Sequence, residues 1–190
     1  MKTVNLMIVG VGGQGSLLAS KLLGRLLLDE GYDVKVSEVH GMSQRGGSVV
    51  TYVRFGDRVY SPLVDRGEAD YIVSFEKLEG VRYIDHLRPD GRIIVSTQQV
   101  DPMPVITGEA EYPEDILEQY AAQGVQIDAI DALSLAEQAG SVRAVNIVLM
   151  GHLARYLDIP YEKWITAIEH SVAERFVAMN KEAFALGYKS

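Results

Sequence analysis

The chain has 190 residues, 47% of them hydrophobic, a formal net charge of −8 and no cysteine. That length reads as one ordinary domain able to bury a sizeable core. The missing cysteine excludes disulfides, a redox thiol and Cys-ligated zinc or iron–sulfur clusters within the sequence.

An acidic balance with scattered Lys and Arg speaks against free nucleic acid as a partner, because a binding face needs clustered basic residues to displace counterions. No apolar run approaches the ~20 residues of a membrane span. The apolar stretch from Val4 to Val11 is broken by Asn5 and followed by glycines, unlike a signal peptide. The expectation is a cytoplasmic protein with no membrane contact.

Residues 3–9, TVNLMIV, read as a buried strand, short, apolar and ended by glycine. From Gly13 to about Glu30 the period changes: Leu17, Leu18, Leu22, Leu26 and Leu27 recur at helical spacing, and Gly31 caps the segment. YDVKVSEV is a second strand, so residues 3–39 predict a β-α-β unit with parallel pairing. VVTYVRF, GDR and VYSPL predict an inserted β-hairpin. ADYIVSF is a strand, EKLEGVRYIDHL an amphipathic helix, RPDGR a turn and IIVST a buried strand. The segment 99–113, carrying Pro102, Pro104 and Pro113, predicts an irregular excursion. PEDILEQYAAQG reads as a short helix with Pro113 near its first turn, and VQIDA as a last strand.

From Ala132 onward the chain reads as helical, with Val142, Val145, Leu149, Leu153 and Tyr156 on one stripe. The expected fold is α/β: one domain over 1–190 with a Rossmann-like, mostly parallel sheet, an inserted β-hairpin and C-terminal helices, the α/β core spanning about 1–130 and the helical tail about 131–190.

Gly10-x-Gly12-x-x-Gly15 follows a strand and opens a helix, the context of a dinucleotide-binding turn. Glycines permit the turn and let a ligand approach the backbone, and the helix N-terminus offers free N–H groups to an anion. Gly13 and Gln14 complete the loop, and Gln14 favours a polar contact over packing alone. Glu38, 23 residues after Gly15, roughly fits the acid that would hold a ribose of NAD. Packing of strand on helix with nothing bound is the competing explanation of the glycines.

A second loop, EVHGMSQRGGSVV, crowds His40, Ser43, Gln44 and Arg45 between Gly41 and the Gly46-Gly47 pair. It leaves the carboxyl end of the second strand, so both loops would face one crevice. Arg45 is suited to grip a phosphate or carboxylate with two parallel hydrogen bonds. His40 alone reads as a structural histidine, since no second catalytic group stands at a diagnostic spacing.

Taken in order, GVGGQGSLLASKLL, SEVHGMSQRGGSV, ADYIVSFEKLEG and NIVLMGHLA resemble the small-subunit family of ferredoxin-dependent 2-oxoacid oxidoreductases, most closely the indolepyruvate type. The resemblance covers almost the whole chain. It implies a holoenzyme that oxidatively decarboxylates an aryl 2-oxoacid to an acyl-CoA and passes the electrons to ferredoxin. It also implies that thiamine diphosphate with its magnesium, and the 4Fe-4S clusters, sit on a large partner subunit. The chain agrees in lacking cysteine and a Gly-Asp-Gly thiamine segment. The small subunit is then inactive alone, has no catalytic or metal-binding residue of its own, and is associated with coenzyme A. The implied contacts are Gly10, Gly12, Gly13, Gln14 and Gly15 with Ser43, Gln44, Arg45 and Gly46.

Asn146 reads as a satisfied buried amide on an apolar stripe, and Gly151 as a site of close helix packing. Trp164 and Phe176 read as core or interface residues. Glu109, Glu111, Glu114 and Asp115 read as a solvated face. His86, His152 and His170 show no metal-ligand spacing. Two other functions compete with the subunit: a free-standing NAD(P) oxidoreductase, for which no acid or base stands out, and a nucleotide-binding module without chemistry. Isolated from its partner, the chain is expected to self-associate as a homodimer through exposed apolar surface.

Overall fold

A computed structural model describes residues 2–39 and 47–190. Six strands form one sheet in the order β2-β3-β1-β4-β5-β6. They are β1 (Val4–Val11), β2 (Asp33–Val39), β3 (Ser48–Gly56), β4 (Ala69–Ser74), β5 (Leu87–Ser96) and β6 (Gln126–Ile130). β1, β4, β5 and β6 pair in parallel, while β3 runs antiparallel to both β1 and β2. The helices are α1 (Ser16–Asp29), α2 (Lys77–Arg82), α3 (Met103–Ile106), α4 (Ile116–Ala122), α5 (Ala132–Gln138), α6 (Val145–Leu153), α7 (Tyr161–Ser171) and α8 (Glu174–Lys189). This is the expected α/β architecture with a mostly parallel sheet and C-terminal helices.

The expected pairing of the first β-α-β unit is corrected. β2 points the same way as β1 but does not touch it, because β3 lies between them with Val9 opposite Val50 and Val36 opposite Val53. Burial explains the order. Val49, Val50, Thr51, Val53 and Phe55 of β3 are buried, as an interior strand requires, whereas β2 is half-exposed along its length and stays at the edge. The antiparallel hairpin is therefore β2–β3. The return segment VYSPL forms no strand. It is tied down from the sheet instead: Val59 N–H donates to Asp33 Oδ2 at 2.8 Å, and Arg54 Nη1 donates to the carbonyls of Ser61 and Leu63 at 3.2 and 2.8 Å.

RPDGR is also not a free turn. It is an irregularity inside β5, whose pairing jumps from Ala69↔Leu87 to Tyr71↔Arg92. Only its first part of EKLEGVRYIDHL is α-helical, as α2, and the proline-bearing excursion holds the short α3. The C-terminal stripe starts later than expected: α6 begins at Val145, and Val142 is 52% exposed in the preceding 3-10 turn.

Two apolar clusters sandwich the sheet. One packs α1, α5, α6, α7 and α8 against Leu6, Ile8, Val73 and Ile94; the other sets α2 and α4 against Met7, Val9, Ile72, Ile93 and Val95. Alternate residues of β1 thus enter opposite cores. Every residue of α6 is buried, so it is the central helix of the first layer. Each fully buried Leu or Ile there contributes about 1.5–3 kcal/mol. Trp164 stacks on Phe184 with ring centroids 5.6 Å apart, joining α7 to α8. Among the described residues, no helix is long and apolar enough to cross a membrane.

Candidate functional site at the carboxyl ends of the strands

β1, β4, β5 and β6 all end at one crest of the sheet. Here the β1–α1 turn carries the first glycine cluster. Gly13 and Gly15 have φ of +96° and +90°, the left-handed region that a side chain resists. Gly15 sits at the N-cap of α1 with no side-chain cap. The N–H groups of Gly13, Gly15, Ser16 and Leu17 have no hydrogen-bond acceptor among the described residues. Four free N–H groups at a positive helix terminus are suited to an anion.

Gln14 borders the cleft beside the turn, and its amide is engaged within the chain. Its Oε1 accepts from Val11 N–H at 2.7 Å, and its Nε2 donates to the Phe75 carbonyl at 3.2 Å and to Gln98 Oε1 at 3.4 Å. A Cβ on Gly10 would lie 2.7 Å from Gln14 Oε1 and 2.9 Å from Phe75 Cβ. On the far side, Asn146, 3% exposed, donates from Nδ2 to the Gly15 carbonyl at 3.3 Å. The outer two glycines of the motif thus make room for amide side chains. At Gly13, by contrast, a Cβ would meet nothing within 4 Å. Gly13 borders a cleft of about 780 Å³ whose walls include Leu18, Gln98, Glu137, Arg143 and Asn146.

The second loop meets the first where it can be followed. Val39 pairs with Val50, Ser48 pairs with Val11, and Gly12 N–H donates to the Gly47 carbonyl at 3.0 Å. Both ends of that loop therefore stand at the crest. His40, Ser43, Gln44, Arg45 and Gly46 themselves lie outside the described residues. Glu38 is already partnered within the chain. It stands on β2, two strands from β1, and its Oε1 accepts from Ser20 Oγ at 2.9 Å. A NAD-type acid belongs on the strand beside β1.

Two polar groups went unrecognised in the sequence. Glu76, 1% exposed, caps α2 just beyond β4: its carboxylate accepts from Glu79 N–H at 2.8 Å, Val100 N–H at 3.3 Å and the Tyr112 hydroxyl. Burial, then the hydrogen bond to Glu76, pushes the Tyr112 phenol up. The available signal was an acid directly after a buried strand and three residues before Glu79. At the β6 edge, Asp128 accepts from Tyr156 Oη at 2.5 Å, Arg92 Nη1 at 2.6 Å and His152 Nε2 at 3.0 Å. Burial acts to raise the Asp128 carboxyl, but the hydrogen bonds and the Arg92 charge outweigh it and hold it below the usual range. Burial lowers His152 despite Asp128 beside it. Its Nδ1 lies 3.1 Å from Ser190 Oγ, whose proton is directed to the Gly187 carbonyl at 2.8 Å. That string of Asp, His and Ser is therefore wired as a structural brace rather than as a nucleophile. A lone His inside the apolar run VLMGHLA was its only sequence signal.

The chain matches the family model for pyruvate ferredoxin/flavodoxin oxidoreductase over residues 5–190. It belongs to that family. It is 43% identical over 195 residues to the indolepyruvate oxidoreductase subunit IorB of Thermococcus kodakarensis, covering 100% of this chain and 96% of that protein. Its fold is that of the pyruvate oxidoreductase subunit PORC of Thermotoga maritima, with a TM-score of 0.75 at 22% identity, covering 100% of this chain and 97% of that one. It also overlays 31% of a chain of 2-oxoglutarate:ferredoxin oxidoreductase from Magnetococcus marinus, a structure with 2-oxoglutarate, coenzyme A and succinyl-CoA bound. That match covers 100% of this chain with a TM-score of 0.75 at 21% identity. As a member of this family, the chain is a subunit of an oxidoreductase.

Proposed function

We propose that the chain is the small subunit of a thiamine-dependent aryl-pyruvate:ferredoxin oxidoreductase, indolepyruvate being the expected substrate, and that its crest receives the phosphate end of coenzyme A. The 43% identity along the whole chain to an indolepyruvate oxidoreductase subunit carries the first part. The N–H groups of Gly13, Gly15, Ser16 and Leu17, which have no acceptor among the described residues, and the cleft that Gly13 and Gly15 line support the second. Gly13 and the α1 N-terminus would hold the phosphates, and Ser43, Gln44, Arg45 and Gly46 are the further contacts that the family resemblance suggests. Iron–sulfur clusters are held by thiolates, and this chain has no cysteine, so we place them, with thiamine diphosphate and magnesium, on a larger partner. The small subunit would then be inactive alone and act in the cytoplasm.

Co-expression with the large chain, followed by coenzyme A-dependent dye reduction with aryl pyruvates, tests the assignment. A large chain fully active and stable by itself would sink it. Titration of the complex with coenzyme A, using wild type and Arg45→Ala, tests the second loop: a tenfold or greater loss of affinity is expected, and an unchanged affinity removes Arg45 from the site.

A further inference from the structure

The glycine turn is shaped by side chains that a ligand would not need to touch. A primary amide has two N–H donors, and both of those on Gln14 are engaged within the chain, one by the Phe75 carbonyl and one by Gln98 Oε1. An anion can be bound only by donors, so direct contact with Gln14 would break one of these bonds. The same side chain accepts from Val11 N–H at 2.7 Å. One residue thus fastens the last residue of β1, the residue after β4 and the second residue after β5. Gly10 is explained by it as well, since a Cβ there would collide with the amide oxygen at 2.7 Å. Asn146 grips the opposite end of the turn at Gly15.

We propose that Gln14 is a positioning residue: it fixes the glycine turn so that the N–H groups of Gly13 and the α1 N-terminus face the cleft, without itself contacting the ligand. The ligand side of this proposal rests on the coenzyme A reading above; the shape of the turn does not.

The test uses the assembled complex carrying wild type, Gln14→Leu or Gln14→Glu. The Leu variant removes all three hydrogen bonds, and the Glu variant keeps only the acceptor for Val11. Amide hydrogen exchange is measured over residues 10–18 without coenzyme A, with residues 126–130 of β6 as the internal reference. The expected result is exchange at least tenfold faster over 10–18 in the Leu variant, a smaller increase in the Glu variant, and no change in β6. With coenzyme A titrated, KM rises by more than kcat falls in both. If the Leu variant also speeds exchange in β6, the Glu variant carries the comparison.

Wild-type exchange over 10–18 in both ligand-free variants would overturn the proposal, and with weakened coenzyme A binding it would assign Gln14 to direct contact. Failure of the wild-type complex to bind coenzyme A would instead remove the ligand reading, while the exchange result still decides the role of Gln14.

Discussion

The crest and the β6 edge are both polar and both border open volume, about 780 Å³ beside the glycine turn and about 660 Å³ beside Asp128. Space therefore does not distinguish them. Commitment of hydrogen bonds does. At the β6 edge, Asp128 has three side-chain donors within 3.0 Å, and Arg92 lies over the Tyr156 ring at 4.7 Å. Full charges are present, and each faces a partner in the same chain. At the crest the two side chains that hold the turn, Gln14 and Asn146, are neutral amides, and among the described residues the N–H groups of Gly13, Gly15, Ser16 and Leu17 meet no acceptor. A satisfied charge cluster braces a fold, whereas unsatisfied donors held rigidly are available to a ligand.

The largest test of this contrast is a pair of glycines. Gly187 sits where α8 crosses α6 beside the edge cluster, and a Cβ there would lie 1.9 Å from the Val148 carbonyl oxygen, which is backbone. Gly187→Ala is expected to cost more than the ~3 kcal/mol typical of severe overpacking, with a large fall in Tm. Gly13→Ala at the crest meets open space and pays only for its positive φ, about 1–2 kcal/mol. Equal melting shifts for the two would refute the idea of a closed edge and an open crest.

Asp128→Ala comes next. It strands the Tyr156 hydroxyl and the His152 N–H, and it leaves the Arg92 guanidinium with Gln126 Oε1 as its remaining hydrogen-bond acceptor. Breaking a buried charged network costs ~3–5 kcal/mol, and the 18% exposure of the Asp128 side chain puts this one near ~3 kcal/mol. Denaturant titration gives the value. Coenzyme A affinity in the complex is expected to stay as in wild type, because the edge takes no part in the crest.

How much of this was legible depends on sequence distance. The turn, α1 and the parallel strands follow from local periodicity and glycine placement. Gly151 as a close-packing site was also local in its signal, and a Cβ there would lie 2.2 Å from the Phe184 carbonyl oxygen. The placement of β3 between β1 and β2 was not local. It is decided by which strand can bury both faces, and the polar residues of DVKVSEV against VVTYVRF were the available clue. The role of Gln14 was hidden for the same reason, since its partners Phe75 and Gln98 lie 61 and 84 residues away. Asp128 and His152 lie 24 residues apart on different elements, so no spacing rule joins them.

The smallest expected effect is a pH dependence at the edge. His152 is held below its ordinary value of 6.5, chiefly by burial. Its unfolded form therefore takes up a proton as pH falls through about 6.5 while the folded form still resists. The stability it contributes is complete above that value and is lost as pH falls toward the folded pKa, by at most about 1.4 kcal/mol per pH unit. Asp128, held below 3.8, keeps its own contribution until the solution is more acidic than that, so the two steps separate. Between pH 7 and 5, Tm should fall more steeply in wild type than in His152→Gln, whose amide can still donate to Asp128 but does not titrate. Parallel Tm curves over that range would show that His152 is solvated in the folded protein.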